Sequence, residues 1–505
     1  MNNSSRQELT QATFTALKWS YGSTVIKVIS QMLIGVVLAR LLGPKPFGLV
    51  AVAWIVIGFG NLIADFGFGA ALVQRKEVSE REVRYAFTIQ VLIGVALTLV
   101  IASSAGLIAQ LFRQPPLVPV IQVLSLIFAI QAFSQTAVSL LKRDLNFKYL
   151  RLAELLSYVL AFILLGIPLA YLGYGVWSLI AAQLAQSMLY SVLIYGRVRH
   201  PIKLTLSLSS NLLGFGSRVM GTNILNWIIE NMDNAFVGRF FGVYSLGLYN
   251  RAYSLMTAPT SSFITVLQGV LFPAYSRAQD ETKTISRVYI ASAGVTSLVV
   301  LPIFCSVAVV PRTVIQGLYG NRWLGAAPLL VPLALAVPFH AVMALAGPLI
   351  WGKGKVGREL AMQGIVAVLF LFVLLVTSKL TVLILAWGVF GVYAVRFVLM
   401  TWAALRVINA SWRSLFCEIR GGAILGLWAS VLIWGVEKAL LTFNMPVAVR
   451  LVIDILATGV GTIGIVLIIP SLLFSAETVW LISRFSGSIP VAIRSFIRFR
   501  GLEVG

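Results

Sequence analysis

Charged residues are scarce in this chain of 505 residues, where Asp, Glu, Lys and Arg together make up only 11%. A soluble domain carries about a quarter charged residues. Here 59% of the residues are hydrophobic, and the mean hydropathy is +0.93. This composition excludes an ordinary soluble protein and predicts a polytopic membrane protein.

Cysteine and histidine are nearly absent, with two of each in the whole chain. Neither has the spacing of a metal or redox site, so we expect no disulfide, metal or cofactor. The sequence also lacks a phosphate-binding loop, paired glycosidase carboxylates and a nucleophile elbow, which gives no sign of ATP hydrolysis. The start of the chain lacks the features of a secretory signal, so the first span is expected to stay in the mature protein.

Long apolar runs are what the sequence does contain. A helix needs roughly 20 apolar residues to cross the hydrocarbon core of a bilayer. The runs predict an all-α polytopic membrane protein with about 14 transmembrane helices. They cover residues 17–42, 46–73, 83–110, 117–141, 149–172, 174–195, 212–240, 246–272, 285–310, 323–350, 356–378, 383–406, 420–441 and 447–473.

The net charge of +22 is distributed unevenly between alternate connections. If the N-terminus is cytoplasmic, 26 Lys and Arg fall in the N-terminal segment, the cytoplasmic loops and the C-terminal tail, against seven in the opposite loops. This asymmetry follows the positive-inside rule and predicts that both termini are cytoplasmic. The charge is therefore topological, with contact to lipid headgroups as a by-product, and no nucleic-acid partner is expected.

One short sequence occurs twice. LARLLGPKPFGLVAVAW begins at Leu38, and VGRFFGVYSLGLYNRAY begins at Val237, 199 residues later. Six predicted helices separate the copies, and an even number gives both the same orientation. The repeat predicts two parallel six-helix lobes around a central cavity, related by a pseudo-two-fold axis along the membrane normal. The aligned identities are Arg40 with Arg239, Gly43 with Gly242, Gly48 with Gly247, Leu49 with Leu248 and Ala53 with Ala252.

The duplication also predicts domain boundaries. We expect an N-terminal six-helix lobe over 1–196, a basic cytoplasmic linker over 197–211 and a C-terminal six-helix lobe over 212–410. Residues 411–505 would hold two further helices and a basic cytoplasmic tail.

Several motifs in the same order resemble a known family. LARLLGPKPFGLVAVAW, DFGFGAALVQRKEVSEREV, LLKRDLNFKYLRLAE, DNAFVGRFFGVYSLGLYNRAYSLM and LQGVLFPAYSRAQD are similar to Wzx-type polysaccharide transport flippases, close to colanic acid exporters. These belong to the multidrug/oligosaccharidyl-lipid/polysaccharide exporter superfamily. The resemblance implies a flippase of the bacterial inner membrane whose substrate is an undecaprenyl-diphosphate-linked oligosaccharide. The polysaccharide polymerase and the chain-length and export machinery are then candidate partners.

Polar residues inside the predicted spans are candidates for function, because each is costly in hydrocarbon. On the seventh helix they recur at spacings of three and four and so share one face. We predict that they line a water-filled cavity together with residues of the first, second and eighth helices. The substrate-binding candidates are Lys27, Gln31, Arg40, Asn223, Asn226, Arg239 and Arg251. For the two arginines near helix ends, Arg40 and Arg239, snorkelling to the headgroups is the alternative.

Three acidic residues are candidates for ion coupling: Glu230, Asp233 and Asp65. Glu230 and Asp233 lie three residues apart on one helix face, so their carboxylates are expected to be neighbours. Two nearby acids can share a proton, and Na⁺ is the rival ion. Asp65 could instead pair with a cation at the cytoplasmic end of its helix.

Alternating access is the predicted mechanism, with Lys27 and Arg251 attracting the diphosphate. Two other classes compete. A multidrug antiporter of the same superfamily would share the two lobes, typically without the last two helices. A polymerase or ligase of the pathway would bring a large periplasmic loop, whereas every predicted outer loop here is at most about a dozen residues.

Overall fold

The structure is a computed structural model that describes residues 22, 26–64, 79–202, 217–277 and 281–485. All regular secondary structure in these ranges is helical. The chain divides into two compact units, Met1–Arg251 and Ala252–Gly505. The boundaries predicted from the sequence for the two lobes, the linker and the C-terminal segment stay predictions.

Unit one contains six helices and the first part of a seventh. Local signals define several ends: α3 begins with a capping box in which Ser79 and Glu82 satisfy each other's backbone N–H groups. In α5 the turn Phe162–Gly166 is a π-helix. The helices are α1 over 26–42, α2 Pro44–Ala64, α3 Glu80–Leu111, α4 Leu117–Arg143, α5 Phe147–Tyr171, α6 Val176–Val198 and α7 Ser217–Arg277.

Unit two begins within α7 and continues through nine more helices. Its core includes Tyr289, Phe397 and Met400, packed between α8, α10 and α12. The helices are α8 Thr282–Val309, α9 Pro311–Tyr319, α10 Asn321–Gly352, α11 Val356–Thr377, α12 Val382–Ile408, α13 Trp412–Thr442, α14 Val447–Ile468, α15 Pro470–Leu473 and α16 Ala476–Phe485.

Eleven of these helices are long and apolar enough to cross a membrane. The remaining three of the predicted spans correspond to α1 and to the two arms of α7, which is broken at Gly242. The prediction of an all-α polytopic membrane protein with about 14 spans is confirmed.

Two predicted boundaries were wrong for local reasons, whereas the predicted break between the seventh and eighth spans is present at Gly242, whose backbone is non-helical. Helix α13 begins at Trp412 rather than at 420, because the Ser411 hydroxyl caps its first turn. Helix α14 ends at Ile468 instead of 473, because Pro470 has no N–H to continue the hydrogen-bond ladder.

The two copies of the repeat share a turn that requires glycine. Gly43 separates α1 from α2 with a φ of 76°, and Gly242 breaks α7 with a φ of 82°. Positive φ angles are strained for residues that carry a Cβ. Equivalent positions in the two copies therefore adopt equivalent backbone conformations.

The copies also pack against each other inside unit one, and the packing is reciprocal. A Cβ added at Gly48 would overlap the carbonyl oxygen of Val243, and one added at Gly247 would overlap that of Pro44. Each contact maps onto the other by the same shift of 199 residues. A local pseudo-two-fold axis thus passes between Gly48 and Gly247.

Candidate functional site

A carboxylate in unit one binds two cations. The Lys27 ammonium on α1 lies 2.6 Å from Oε1 of Glu154 on α5, with the two side chains 26% and 28% exposed. The second oxygen, Oε2, accepts a hydrogen bond of 3.0 Å from Arg151, one turn earlier on α5. Both oxygens of Glu154 are therefore occupied by cationic partners.

A further cation lies farther along α1. The Arg251 guanidinium on α7 stacks over the ring of Phe47 on α2, 3.8 Å from its centroid. A Cβ built at Gly35 would lie 3.4 Å from Nη1 of Arg251, so Gly35 lies beside the guanidinium. Gly35 follows Lys27 by eight residues, about two turns or 12 Å of helix.

Helix α5 completes the arrangement. Tyr158 comes one turn after Glu154 and lies close enough to Arg251 to interact electrostatically. Helices α1, α2, α5 and α7 therefore bring Lys27, Arg151, Glu154 and Arg251 to one region, which we call the basic cluster. Three cations and one carboxylate give it a net charge of +2. A site of this charge attracts an anion, and both arginines can bind phosphate oxygens in bidentate fashion.

A buried hydrogen-bond network lies on α7, close in sequence to Arg251 of the basic cluster. Asp233 is 1% exposed. Its Oδ2 accepts a 2.7 Å hydrogen bond from the Tyr249 hydroxyl, and its Oδ1 accepts from the backbone and side-chain N–H groups of Asn234. Asn250 donates in turn to the amide oxygen of Asn234 at 3.0 Å. These bonds connect the two sides of the Gly242 break.

The other acid predicted for ion coupling, Glu230, is exposed. Asp233 and Glu230 thus occupy different environments although they are three residues apart. Asp65 and the side chain of Asn223 lie outside the described residues.

The remaining predicted binding residues are more peripheral or less constrained. Gln31 is half-buried one turn after Lys27, and Asn226 is half-buried on α7. Arg40 is exposed near the end of α1. Arg239, its counterpart in the second copy, is half-buried with its guanidinium 5.7 Å from the ring centroid of Phe240.

A polar cleft lies between α2, α3 and α4 in unit one. Four amides line it, together with apolar residues and the exposed Lys142 near the end of α4. Gln90 also accepts a buried hydrogen bond from Thr136. Amide groups both donate and accept hydrogen bonds, which suits them to hydroxyl-rich ligands. The four are Asn61, Gln90, Gln131 and Gln135.

Glu154 and Arg151 are the residues that sequence reasoning missed. They stand at the start of a predicted span, in a segment interpreted as a cytoplasmic connection. A signal was present, because Glu154 is the only acid in Phe147–Tyr171. Nothing in the local pattern, however, indicates that it faces Lys27, which is 127 residues away.

Most residues of the basic cluster lie in a stretch of the chain that matches a known protein family. A family of polysaccharide biosynthesis proteins matches residues 37–328, more than half of the chain. The chain belongs to this family. The matched range includes Glu154, Arg151 and Arg251, whereas Lys27 lies before it.

Individual relatives agree with the family. The chain is 27% identical to the teichuronic acid biosynthesis protein TuaB of Bacillus subtilis, over 89% of this chain and 94% of TuaB. It is 27% identical to the lipopolysaccharide biosynthesis protein WzxC of Escherichia coli, over 69% and 71% of the two chains. The family assignment rests on the match over 37–328, and both relatives are aligned over most of their lengths.

Solved structures show the same fold. The lipid II flippase MurJ in an inward closed conformation has a TM-score of 0.68 at 14% identity, covering 90% of this chain and 99% of MurJ. An inward-facing multidrug resistance MATE transporter has a TM-score of 0.61 at 14% identity, covering 75% and 94%. This family member therefore has the fold of transporters of the exporter superfamily that its motifs resemble, and it is a multi-pass membrane protein.

Proposed function

We propose that the protein is a flippase that moves undecaprenyl-diphosphate-linked oligosaccharides from the cytoplasmic to the periplasmic face of the bacterial inner membrane. The observation that carries this proposal is the basic cluster, which has a net charge of +2 within membrane helices. Burying cations in a membrane is costly unless a charged ligand or partner uses them. A lipid-linked diphosphate brings two phosphates of the opposite sign.

The relatives support the same substrate class. Two are named for the biosynthesis of teichuronic acid and lipopolysaccharide, and a structure of the same fold is a lipid II flippase. The product is an exopolysaccharide, a capsule or an O-antigen, and the protein works by alternating access. In this account it performs no covalent chemistry and needs no cofactor.

Glu154 acts as the resident anion of the site. While the carrier is empty, it neutralises part of the charge of Lys27 and Arg151 through two charge-assisted hydrogen bonds. An incoming diphosphate exchanges with this carboxylate and binds Lys27, Arg151 and Arg251 together. Because one anion replaces another, the cations are not left uncompensated when the headgroup departs, so product release is easier.

The polar cleft supplies a place for the glycan. Its amides can hydrogen-bond sugar hydroxyls, and it lies in the same unit as the basic cluster. The polyprenyl chain needs no polar partner and stays in the lipid. Gln31, Asn226, Arg40 and Arg239 are the further residues that we assign to the substrate path.

Ion coupling is assigned to Glu230 and Asp233, with Asp65 as a third acid. Either H⁺ or Na⁺ fits carboxylates in a transporter of this kind. We expect Glu230→Gln to slow flipping more than it weakens substrate binding. Glu230 is exposed, whereas Asp233 is buried and held in its hydrogen-bond network.

A multidrug antiporter is the alternative with the same fold. Organic cations would be repelled by a cluster of charge +2, which favours an anionic substrate. A drug-resistance assay in cells that overproduce the protein separates these two functions. A polymerase or ligase of the pathway is the other alternative, and it predicts covalent change of the lipid-linked sugar on incubation with purified protein.

The decisive experiment measures flipping in proteoliposomes. A fluorescent undecaprenyl-diphosphate oligosaccharide is incorporated, and a membrane-impermeant reagent reports the fraction that remains on the outer face. We expect rapid scrambling with wild-type protein and a loss of at least about tenfold with Lys27→Gln, the effect of one charged hydrogen bond. Arg287→Gln is the matched control, since it breaks an exposed ion pair with Glu477 in unit two.

A double variant shows whether Lys27 binds the diphosphate or only neutralises Glu154. If Lys27 only neutralises Glu154, then Lys27→Gln combined with Glu154→Gln restores flipping, because the carboxylate is removed together with the cation that neutralises it, and the Arg151 side chain, 44% exposed, is left to solvent. If Lys27 binds the diphosphate, the double variant stays inactive. Wild-type flipping by Lys27→Gln alone would remove Lys27 from the substrate site.

Membrane orientation is tested by single-cysteine labelling. Labels at Lys148 should be accessible from the cytoplasm, and labels at Lys45 and Arg322 from the periplasm, with both termini cytoplasmic. Deletion of the gene should trap the lipid-linked oligosaccharide on the cytoplasmic face. Labelling of Lys148 from the periplasm would reverse the proposed direction of loading.

A further inference from the structure

A second group of ionisable side chains lies in unit two, where α14 meets α13 and α9. Only two residues of α14 are fully buried, Leu451 and Asp454. Leu451 packs on α9, where a Cβ added to Gly317 would lie 2.8 Å from its side chain. The rest of α14 is half-buried or exposed, so Leu451 and Asp454 are its most deeply packed side chains.

The polar part of this face is a cluster of four side chains from three helices. Oε1 of Glu437 on α13 accepts hydrogen bonds from the Thr313 hydroxyl on α9 at 2.5 Å and from Nη1 of Arg450 on α14 at 3.2 Å. The side chains of Arg450 and Glu437 are 12% and 15% exposed. The carboxyl of Asp454, one turn after Arg450, lies close enough to the Glu437 carboxyl for the two to interact electrostatically.

The donors in this cluster do not match its acceptors. Asp454 is 1% exposed, and neither of its oxygens has a hydrogen-bond partner among the described residues. Oε2 of Glu437 also lacks a partner there, and Nε of Arg450 is a buried donor without an acceptor, so the remaining mismatch is one of charge. Two ionised carboxylates beside one guanidinium would leave an uncompensated negative charge, which costs several kcal/mol when buried.

No other cation on the packed helices faces Asp454. Lys438 of α13 is exposed and lies over the ring of Trp434, 4.7 Å from its centroid. Arg312 of α9 is also exposed. Helix α15, which packs beside α14, contains no ionisable residue in its sequence PSLL.

We propose that Glu437 and Asp454 form a buried proton-binding site, in which one proton is shared between the Asp454 carboxyl and Oε2 of Glu437. The proton gives Asp454 a donor and Oε2 of Glu437 a partner. It also makes the cluster neutral, because Arg450 then balances the single remaining negative charge. The bound proton adds a link between α13 and α14 beside the ion pair of Arg450 and Glu437.

This site is separate from the proposed flippase function. It uses no residue of the basic cluster or of the predicted ion-coupling set, and it lies in the other unit. If the proton-site proposal is wrong, the proposed substrate site is unaffected. If the flippase proposal is wrong, the proton-site proposal is likewise unaffected.

Infrared spectroscopy of the purified protein tests the proposal directly. A protonated carboxyl absorbs apart from ionised carboxylates. We expect a protonated band in the wild type at neutral pH that is lost in Asp454→Asn and equally in Glu437→Gln, where the ionised Asp454 would pair with Arg450. Two variants are used so that poor folding of one does not decide the result.

Glu418→Gln is the matched control. Glu418 is also a buried acid on α13, at 8% exposure, but its Oε2 accepts hydrogen bonds from the hydroxyls of Ser475 and Thr478. Because this oxygen already has two hydroxyl donors, whereas those of Asp454 have none, replacement of Glu418 should leave the protonated band unchanged. Retention of the full band in both Asp454→Asn and Glu437→Gln would overturn the proposal.

Thermal unfolding provides a second readout. The folded state would bind a proton that the unfolded chain releases, so the unfolding temperature of the wild type should fall as the pH rises. Asp454→Asn should lose this dependence, because its amide N–H keeps the bond to Glu437. Stabilisation of the wild type by Na⁺ at constant ionic strength, absent from Asp454→Asn, would assign the site to a metal cation instead of a proton.

Discussion

The two copies of the repeat have the same backbone and different side chains. Gly43 and Gly242 make the same turn, and Gly48 and Gly247 make the same close contact in opposite directions. The side chains around them do not match. The second copy has Asp233, Asn234, Tyr249, Asn250 and Arg251 where the first has Ile34, Gly35, Val50, Ala51 and Val52.

This difference shows what a duplication retains. Backbone contacts require glycine on both sides, because any larger residue would overlap a carbonyl group of the other copy. Side chains that make no such backbone contact have no such restriction. One copy can therefore carry a charge, as Arg251 does, where the other has the apolar Val52.

The largest effect is expected at the glycine contact. Gly48→Ala and Gly247→Ala each force a Cβ into a backbone carbonyl, which cannot rotate away as a side chain can. Each should destabilise the protein by about 3 kcal/mol or more, seen as lower membrane levels and a lower unfolding temperature in detergent. Gly106→Ala on α3 is the control, because nothing lies within 4 Å of a Cβ there.

Because the two glycine contacts are reciprocal, the effects of Gly48→Ala and Gly247→Ala can be compared directly. The two substitutions should cost nearly the same, and the double variant should cost less than their sum if the copies separate in either single variant. Full tolerance of one substitution alongside failure of the other would contradict the local two-fold packing.

The next effect concerns charge. Arg251→Val gives the second copy the residue of the first and removes one cation from the basic cluster. Flipping in proteoliposomes should fall by about tenfold to a hundredfold, the equivalent of one charged hydrogen bond, while protein levels stay normal. Arg251→Lys should retain part of the activity, since it keeps the charge but loses the bidentate geometry.

If Arg251→Val flips the substrate as fast as the wild type, Arg251 is not part of the anion site. Arg287→Gln serves again as the variant that removes an ion-paired arginine elsewhere. A uniform loss in both variants would indicate general instability and not loss of binding.

A smaller effect is expected in the Asp233 network. Tyr249→Phe removes the donor to Oδ2 of Asp233, and Asp233→Ile, the residue of the first copy, leaves the Tyr249 hydroxyl without its acceptor. Each should cost about 1–3 kcal/mol because a buried polar group is left unsatisfied. The double variant should cost less than the sum, by about 1–2 kcal/mol, in unfolding measurements.

Strict additivity in this cycle would mean that the Asp233–Tyr249 bond contributes nothing by itself. The two repeat copies would then differ in stability at these positions only through side-chain packing. A double variant that also keeps flipping would remove Asp233 from ion coupling and leave that role to Glu230 or Asp65.

The smallest effect is expected at the shared turn. Gly43→Ala and Gly242→Ala place a Cβ at a positive φ, which costs about 1 kcal/mol each. Unfolding temperatures should fall slightly and equally. A much larger loss at Gly242 than at Gly43 would show that the break in α7 carries strain that the turn between α1 and α2 does not.

Much of the fold was predictable because hydrophobic length is a local property. Each apolar run long enough to span a bilayer is a helix in the structure wherever the chain is described. The exceptions were ends decided by single residues, such as the Ser411 cap and Pro470. The break in α7 at Gly242 falls between the predicted seventh and eighth spans.

The candidate site was predictable only in part. Lys27 and Arg251 were found because cations inside spans are rare and costly. Glu154 was missed because it lies in a basic segment that was interpreted as a cytoplasmic connection between helices. No pattern in the neighbouring sequence indicates its hydrogen bond to Lys27. The stacking of Arg251 on Phe47 and its position beside Gly35 likewise depend on helices that are distant in sequence.

The sequence by itself determined the all-helical membrane class, the approximate number of spans and the internal duplication, because these follow from composition and from patterns within one helix length. Only the tertiary structure decided which charges meet. Helix α5 brings Glu154 to Lys27, and the pairing of the two repeat copies brings Arg251 to Gly35. Such contacts depend on how helices pack across more than a hundred residues, and the hydrophobic pattern of any single helix does not specify its neighbours.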